Sequence, residues 1–206
     1  MCQKLKSFLN TFYLLLHMKS EEKLWFAFLQ EKRRLYFREL QDLTKLSHSS
    51  LQNILKKLVE TSILKTINTK AHVYYEIIDK KYVALKYSEI ARKNFLKLNR
   101  NVRIPLENFL DKSPTNIFCI VLFGSTSRGT QKETSDIDLL IVHETKHDFN
   151  LLKEKINAIS KYSLSIFECS VKDFLKNEDH LIVQAKMTGF PIKGEQFFYE
   201  VGLDEH

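Results

Sequence analysis

Two aspartates, Asp136 and Asp138, are the side chains in this sequence best placed to do chemistry. They head an apolar run, Leu139-Leu140-Ile141-Val142. Side chains two apart on a strand leave the same face. Two carboxylates on one face repel each other, which makes sense where a hard divalent cation with a taste for oxygen ligands lies between them. A second apolar run, Ile117–Phe123, ends in Gly124-Ser125, and ten residues, 126 to 135, separate that pair from Asp136. Glycine lets a backbone approach a ligand closely. A turn that opens a helix presents N–H groups without intrahelical partners, which suits phosphate. A phosphate cradle beside a paired-aspartate metal site is the equipment for attack on a metal-bound nucleoside triphosphate.

The stretch Leu122–Val142, LFGSTSRGTQKETSDIDLLIV, resembles the minimal nucleotidyltransferase branch of the DNA polymerase β-like superfamily. The resemblance is close over Ile117–Val142 and looser over the rest of the C-terminal half. Its motif is Gly-Ser, a spacer of about ten residues and Asp-x-Asp, with Arg128-Gly129 after the Gly-Ser and Ser135 before the first acid. The resemblance implies a small α/β domain with a mixed sheet that moves a nucleoside monophosphate from an NTP to a hydroxyl. It implies Mg²⁺ or Mn²⁺ held by Asp136 and Asp138, and a triphosphate held by Gly124, Ser125 and Arg128. Active members carry a third carboxylate on the neighbouring strand. Where it would align, near Ser163 or Ser165, this chain has serines. Glu168 is the one acid of the run Ser163–Ser170, and is the candidate third catalytic carboxylate beside the aspartates. By alternation it shares a face with Leu164 and Ile166.

The elements around this motif follow from periodicity. A helix is expected near Phe149–Lys161, a third strand over Leu164–Cys169, short helices around Val171–Leu175 and His180–Met187, and a closing strand and turn over Gly189–Gly194. Cys119 and Cys169 fall in strand-like runs as inert buried thiols. The three cysteines show no zinc spacing, and their odd number points to a reducing cytoplasm. His143, His147 and His180 have no ligand spacing and read as solvated surface residues.

The N-terminal part has a different character. Residues 1–81 hold 15 Lys/Arg against 8 Asp/Glu, while residues 82–206 hold 17 of each, so the whole excess of +7 sits in the first module. Such a concentration suits a polyanion, most simply nucleic acid. Helices over Glu21–Glu31, Arg38–Lys45 and His48–Glu60, a short strand at Leu35–Phe37 and strands at Ile63–Ile67 and His72–Ile78 give the element order of a winged helix-turn-helix. The segment resembles the winged-helix domains of microbial transcription regulators. In those the third helix enters the major groove. That resemblance makes His48, Ser49, Gln52, Asn53, Lys56 and Lys57 on the polar face of this helix, with Lys70 in the hairpin, the DNA-binding residues. Gln52 and Asn53 suit adenine edges and the lysines suit phosphates.

The expected fold class is therefore α+β: an N-terminal winged helix-turn-helix over 1–81, with an amphipathic helix over 4–18, a helical connector over 82–112 broken before Pro105, and a nucleotidyltransferase domain over 113–206. Met18 is an alternative start. The composition, 44% hydrophobic and 12% aromatic, excludes a disordered chain. No run approaches the ~20 apolar residues of a membrane span. Expected partners are an NTP and duplex DNA, with a second copy of the chain or a small helical protein as further ones. Two functional readings stay open: a transferase steered by its winged helix, and a DNA-binding regulator whose transferase fold senses nucleotide or binds a partner, including as a toxin–antitoxin component.

Overall fold

Two long apolar runs, Ile117–Phe123 and Leu139–Val142, set the architecture of the C-terminal half. The structure, a computed structural model, describes residues 18–204; the helix expected over 4–18 lies outside them but for Met18, which is not helical. Two compact units divide between Ile90 and Ala91, inside a helix of the segment expected to connect them.

In the first unit, helix α1 (Ser20–Glu31) leads through strand β1 (Leu35–Tyr36) to helices α2 (Phe37–Thr44) and α3 (His48–Glu60). Strands β2 (Leu64–Asn68) and β3 (Val73–Ile77) form an antiparallel hairpin, and β1 pairs with β3 to give the order β1-β3-β2. The i, i+3, i+4, i+7 spacing of Leu51, Ile54, Leu55 and Leu58 makes α3 amphipathic. Leu51, Leu55 and Leu58 are buried, in a core that also holds Leu24, Trp25, Phe28, Leu35, Leu40 and Leu64. Ser47 caps α3, its Oγ accepting from the Ser50 N–H at 3.3 Å. Helix α4 (Lys80–Leu96) begins in this unit and ends in the next.

The second unit continues with helix α5 (Arg100–Lys112). The break expected before Pro105 falls instead at residues 97–99, and Pro105 lies inside α5. Asn99 starts the helix, its side chain accepting from the Asn101 N–H at 2.9 Å. The carbonyl that Pro105 leaves unpaired belongs to exposed Asn101, where water can reach it.

Strands β4 (Ile117–Phe123), β5 (Ile137–His143), β6 (Leu164–Ser170) and β7 (Phe190–Lys193) form one sheet in the order β6-β5-β4-β7. β4 pairs antiparallel with β5 and β7, and β5 pairs parallel with β6, so the sheet is mixed as expected. Between the strands lie helices α6 (Gly124–Ser127), α7 (Asn150–Asn157), α8 (Val171–Lys176) and α9 (His180–Thr188). A final helix, α10 (Glu195–Asp204), was not foreseen.

One face of the sheet carries Ile137, Leu139 and Ile141 of β5 and packs with Val102, Leu106, Phe109, Phe149 and Ile156. Burying each such side chain is worth roughly 1.5–3 kcal/mol. The other face carries Asp138, Leu140 and Val142. A Cβ on Gly189, which ends α9, would run into the Cβ of Phe123, the register partner of Asp138, so this end of α9 lies on the aspartate side. Among the described residues no helix is long and apolar enough to cross a membrane.

Candidate functional site

The site forms where β4 ends and β5 begins. Antiparallel pairing sets Phe123 opposite Asp138, so the residue after Phe123 arrives beside the second aspartate. That residue is Gly124, with φ +74°. A side chain there would be strained in the left-handed region. Its Cβ would also collide with the Asp138 carboxylate. The glycine is thus required twice, by its backbone and by the acid packed against it.

Gly124 opens α6, a single turn. Hydroxyls fix that turn to its surroundings. The buried Thr126 donates from Oγ1 to the Asp136 carbonyl at 3.1 Å, tying the turn to the acid pair across ten residues of sequence. Ser127 Oγ lies 3.0 Å from the Gly124 carbonyl and 3.1 Å from the Thr188 carbonyl at the end of α9. Ser125 is half-buried, and its carbonyl accepts from the Thr130 N–H at 3.0 Å. Further along, the Lys132 N–H donates to Ser135 Oγ at 2.9 Å and the Ser135 N–H to the Lys132 carbonyl at 3.1 Å, closing a tight turn before the acids. Sequence reasoning singled out Gly124 and Ser125 but gave no role to Thr126 or Ser127. Nothing in their spacing marks them, because short hydroxyl residues are ordinary in turns.

Asp136 is exposed, just before β5, and Asp138 is half-buried, two residues on. Burial and the negative charge of Asp136 together raise the Asp138 pKa above its ordinary value, while the Arg128 guanidinium pulls the other way. Arg128 is exposed. The acid pair therefore carries repulsion that Arg128 offsets only in part, which a divalent cation with oxygen ligands would relieve. The donor set fits such an ion: two hard carboxylates with a glycine turn at their side.

The expected third carboxylate is not there. Parallel pairing sets Ser165 opposite Asp138 and Glu168 opposite Ile141. Register neighbours share a face, so Glu168 points to the side opposite Asp138 and lies three residues further along, roughly 10 Å by strand rise. Its carboxylate stands 3.2 Å from Nε2 of His143. The alternation that put Glu168 with Leu164 and Ile166 is the alternation that takes it away from the aspartates. Among the described residues no three His, Cys, Asp or Glu side chains converge as a metal site would require.

The histidines differ from one another. His143 is buried at 6% exposure rather than solvated, because β5 is paired on both sides up to its last residue, with Ile117 and with Ser170. Its Nδ1 has no hydrogen-bond partner, and its Nε2 faces the Glu168 carboxylate at 3.2 Å without hydrogen-bond geometry. His147 is half-buried and His180 is exposed. Cys119 is buried and Cys169 half-buried, and burial raises both thiol pKa values, that of Cys169 to about 12, which disfavours the thiolate.

In the first unit, His48, Ser49, Gln52, Asn53, Lys56 and Lys57 are exposed along α3, and Lys70 is exposed in the turn between β2 and β3. Lys56 forms an ion pair with Glu60 at 3.8 Å. The ring of His48 tilts against Phe37, centroids 4.8 Å apart, and Ser49 Oγ lies 3.4 Å from Ser47 Oγ.

No curated protein and no solved structure matches the chain. Residues 103–190, which hold the Gly124-Ser125 turn, the acid pair and the sheet up to the first residue of β7, match the family model of the nucleotidyltransferase domain.

Proposed function

We propose that the second unit is a metal-dependent nucleotidyltransferase that moves a nucleoside monophosphate from an NTP to a hydroxyl. The observation that carries this reading is the Asp138 carboxylate packed against the Cβ-less face of Gly124, which brings a phosphate-suited turn and an acid pair into contact. Asp136 and Asp138 would hold Mg²⁺ or Mn²⁺. Gly124 lets the triphosphate approach the turn, Ser125 offers it a hydroxyl and an N–H, and Arg128 offers positive charge. When bound, the metal supplies charge neutralisation at the phosphate under attack. Thr126 holds the acid-bearing strand to the turn.

The test is calorimetric titration with Mg²⁺ and each NTP, together with label transfer from α-labelled NTP. Wild type should bind NTP only with metal, and Asp136→Asn/Asp138→Asn should lose that binding. Undiminished binding in the double variant would place the nucleotide elsewhere.

One observation favours the second reading, a nucleotide-responsive regulator: the strand position facing Asp138 is Ser165, not an acid. In that reading the site binds metal–NTP without transfer, and the first unit delivers the output. We infer that the first unit is a winged helix that binds duplex DNA. The helix–strand–helix–helix–hairpin order, the β1-β3-β2 sheet and the exposed polar face of α3 support it. Lys56→Ala should weaken binding on all sequences alike, while Gln52→Ala or Asn53→Ala should change sequence preference in a random-site selection. A chain that selects no duplex at low salt would overturn this part. A second copy or a small helical protein is a further partner we propose on resemblance alone.

A further inference from the structure

The first unit has a second surface, on the outer side of its sheet. Pairing sets Tyr36 opposite Tyr74 and Tyr74 opposite Ile67, so these side chains share a face. Leu35 and Leu64 alternate to the other side and are fully buried. The tyrosine face is therefore the outward one. On it the ring of His72 stacks on Tyr36, centroids 4.3 Å apart and planes at 12°. Tyr74 meets both rings edge-on, at 5.8 and 6.2 Å. The Arg34 guanidinium sits 5.0 Å from the centre of the Tyr74 ring. His72 and Arg34 are exposed, and the two tyrosines half-buried.

The charges around this cluster decide what it can hold. Lys65 is paired with Glu76 at 2.7 Å, and Arg33 with Glu31 and Glu39 at 3.1 and 3.0 Å. Among the described residues Arg34 and Lys70 have no ion-pair partner; both are exposed, Arg34 over the Tyr74 ring and Lys70 in the hairpin turn two residues before His72. Cross-strand pairing alone accounts for Tyr36 against Tyr74 as sheet stabilisation. It does not account for an exposed imidazole lying parallel on a tyrosine, with unpaired cations beside it. Parallel rings open to solvent and edged by cations suit a base whose π-face is free. In a duplex those faces are covered by neighbouring bases, so the occupant is a single strand. The basic excess of residues 1–81 suits its phosphates.

We propose that this outer sheet face binds single-stranded nucleic acid, with unpaired bases continuing the Tyr36–His72 stack and Arg34 and Lys70 on the backbone. The surface shares Lys70 with the proposed duplex-binding residues but uses none of those on α3 and none of the acid pair, so it does not rest on the function proposed above.

The test is fluorescence anisotropy of the untagged full chain with labelled dT and U homopolymer strands of about 20 nucleotides, a length set by the reach of such stacking platforms, and with a duplex of the same length at low salt. The two strands separate DNA from RNA as the source of the bases. His72→Ala and Tyr36→Ala should each weaken single-strand binding roughly fivefold or more. Tyr36→Phe should retain it, and Arg34→Ala should flatten its salt dependence. Asp136→Asn/Asp138→Asn should bind single strands as wild type does. If Tyr36→Ala melts early, exposed His72→Ala decides. Three results would each overturn the proposal: no affinity for either strand, wild-type affinity in both alanine variants, or loss confined to Lys56→Ala and Lys57→Ala on α3.

Discussion

At the start of β5, two carboxylates crowd one face and the Asp138 pKa is raised by burial and by its neighbour. At the end of the same strand, a buried imidazole and a carboxylate on the opposite face stand 3.2 Å apart. The first end accumulates like charge with only the exposed Arg128 to offset it, while the second brings an acid and a base together. The contrast shows where a ligand has something to gain. A cation entering between Asp136 and Asp138 relieves repulsion that the fold leaves standing.

The largest expected effect that tests this contrast is at Gly124. Gly124→Ala should cost about 2 kcal/mol or more, since an L-residue in the left-handed region costs roughly 1–2 kcal/mol before any collision with Asp138 is counted. It should also cut metal-dependent NTP affinity at least about tenfold, about 1.4 kcal/mol in binding. Chemical denaturation and calorimetry measure the two. Glu168→Gln, at the far end, should leave metal–NTP affinity and label transfer at wild-type levels. A fall in transfer with Glu168→Gln would end the distinction between the two ends.

A smaller effect is expected at Ser165. Ser165→Asp puts a third carboxylate opposite Asp138, so the metal-free protein should melt earlier and the metal-bound protein later. The gap between the two melting temperatures should widen relative to wild type. An unchanged gap would mean that this strand position does not face the ion.

The smallest effect concerns pH. The folded-state pKa of Asp138 lies above its ordinary value of 3.8, so the folded state takes up the proton more readily than the unfolded one. Stability from this group is full below that value and declines as pH rises through the folded pKa. Asp138→Asn should therefore raise the melting temperature of the metal-free protein slightly at neutral pH, and should make no difference at the acid end. A lower melting temperature at neutral pH would show that Asp138 is stabilised as an anion by some group not named above.

Much of this was legible in the residues. The apolar spacing of α3 gave its bounds, His48–Glu60. Gly124 and the acid pair were legible because backbone freedom and like charge leave few alternatives. What alternation could not supply was register. It placed Glu168 on the face of Leu164 and Ile166, but which residue of β6 lies opposite Asp138 depends on the crossover through α7 and on packing. Residues 97–99 end α4 and Asn99 begins α5, whereas Pro105 attracted the expected break because its ring is the stronger local signal. The helix Glu195–Asp204 was missed because Gly202 and a cluster of aromatics blur its period, although Phe198 and Tyr199 are buried.

The hydrogen bond from Ser127 to the Thr188 carbonyl has a practical bearing on where this domain can be cut. The motif itself ends at Val142, and a fragment stopping soon after would contain every residue that the proposed function assigns to metal or nucleotide. Yet the turn that begins at Gly124 is anchored from the end of α9. There a side chain on Gly189 would run into the Leu122 carbonyl and Phe123, so the chain packs closely on the end of β4 that leads into the turn. The smallest piece that keeps the turn in shape must therefore run past Gly189. A shorter fragment would preserve the letters of the motif and lose its geometry.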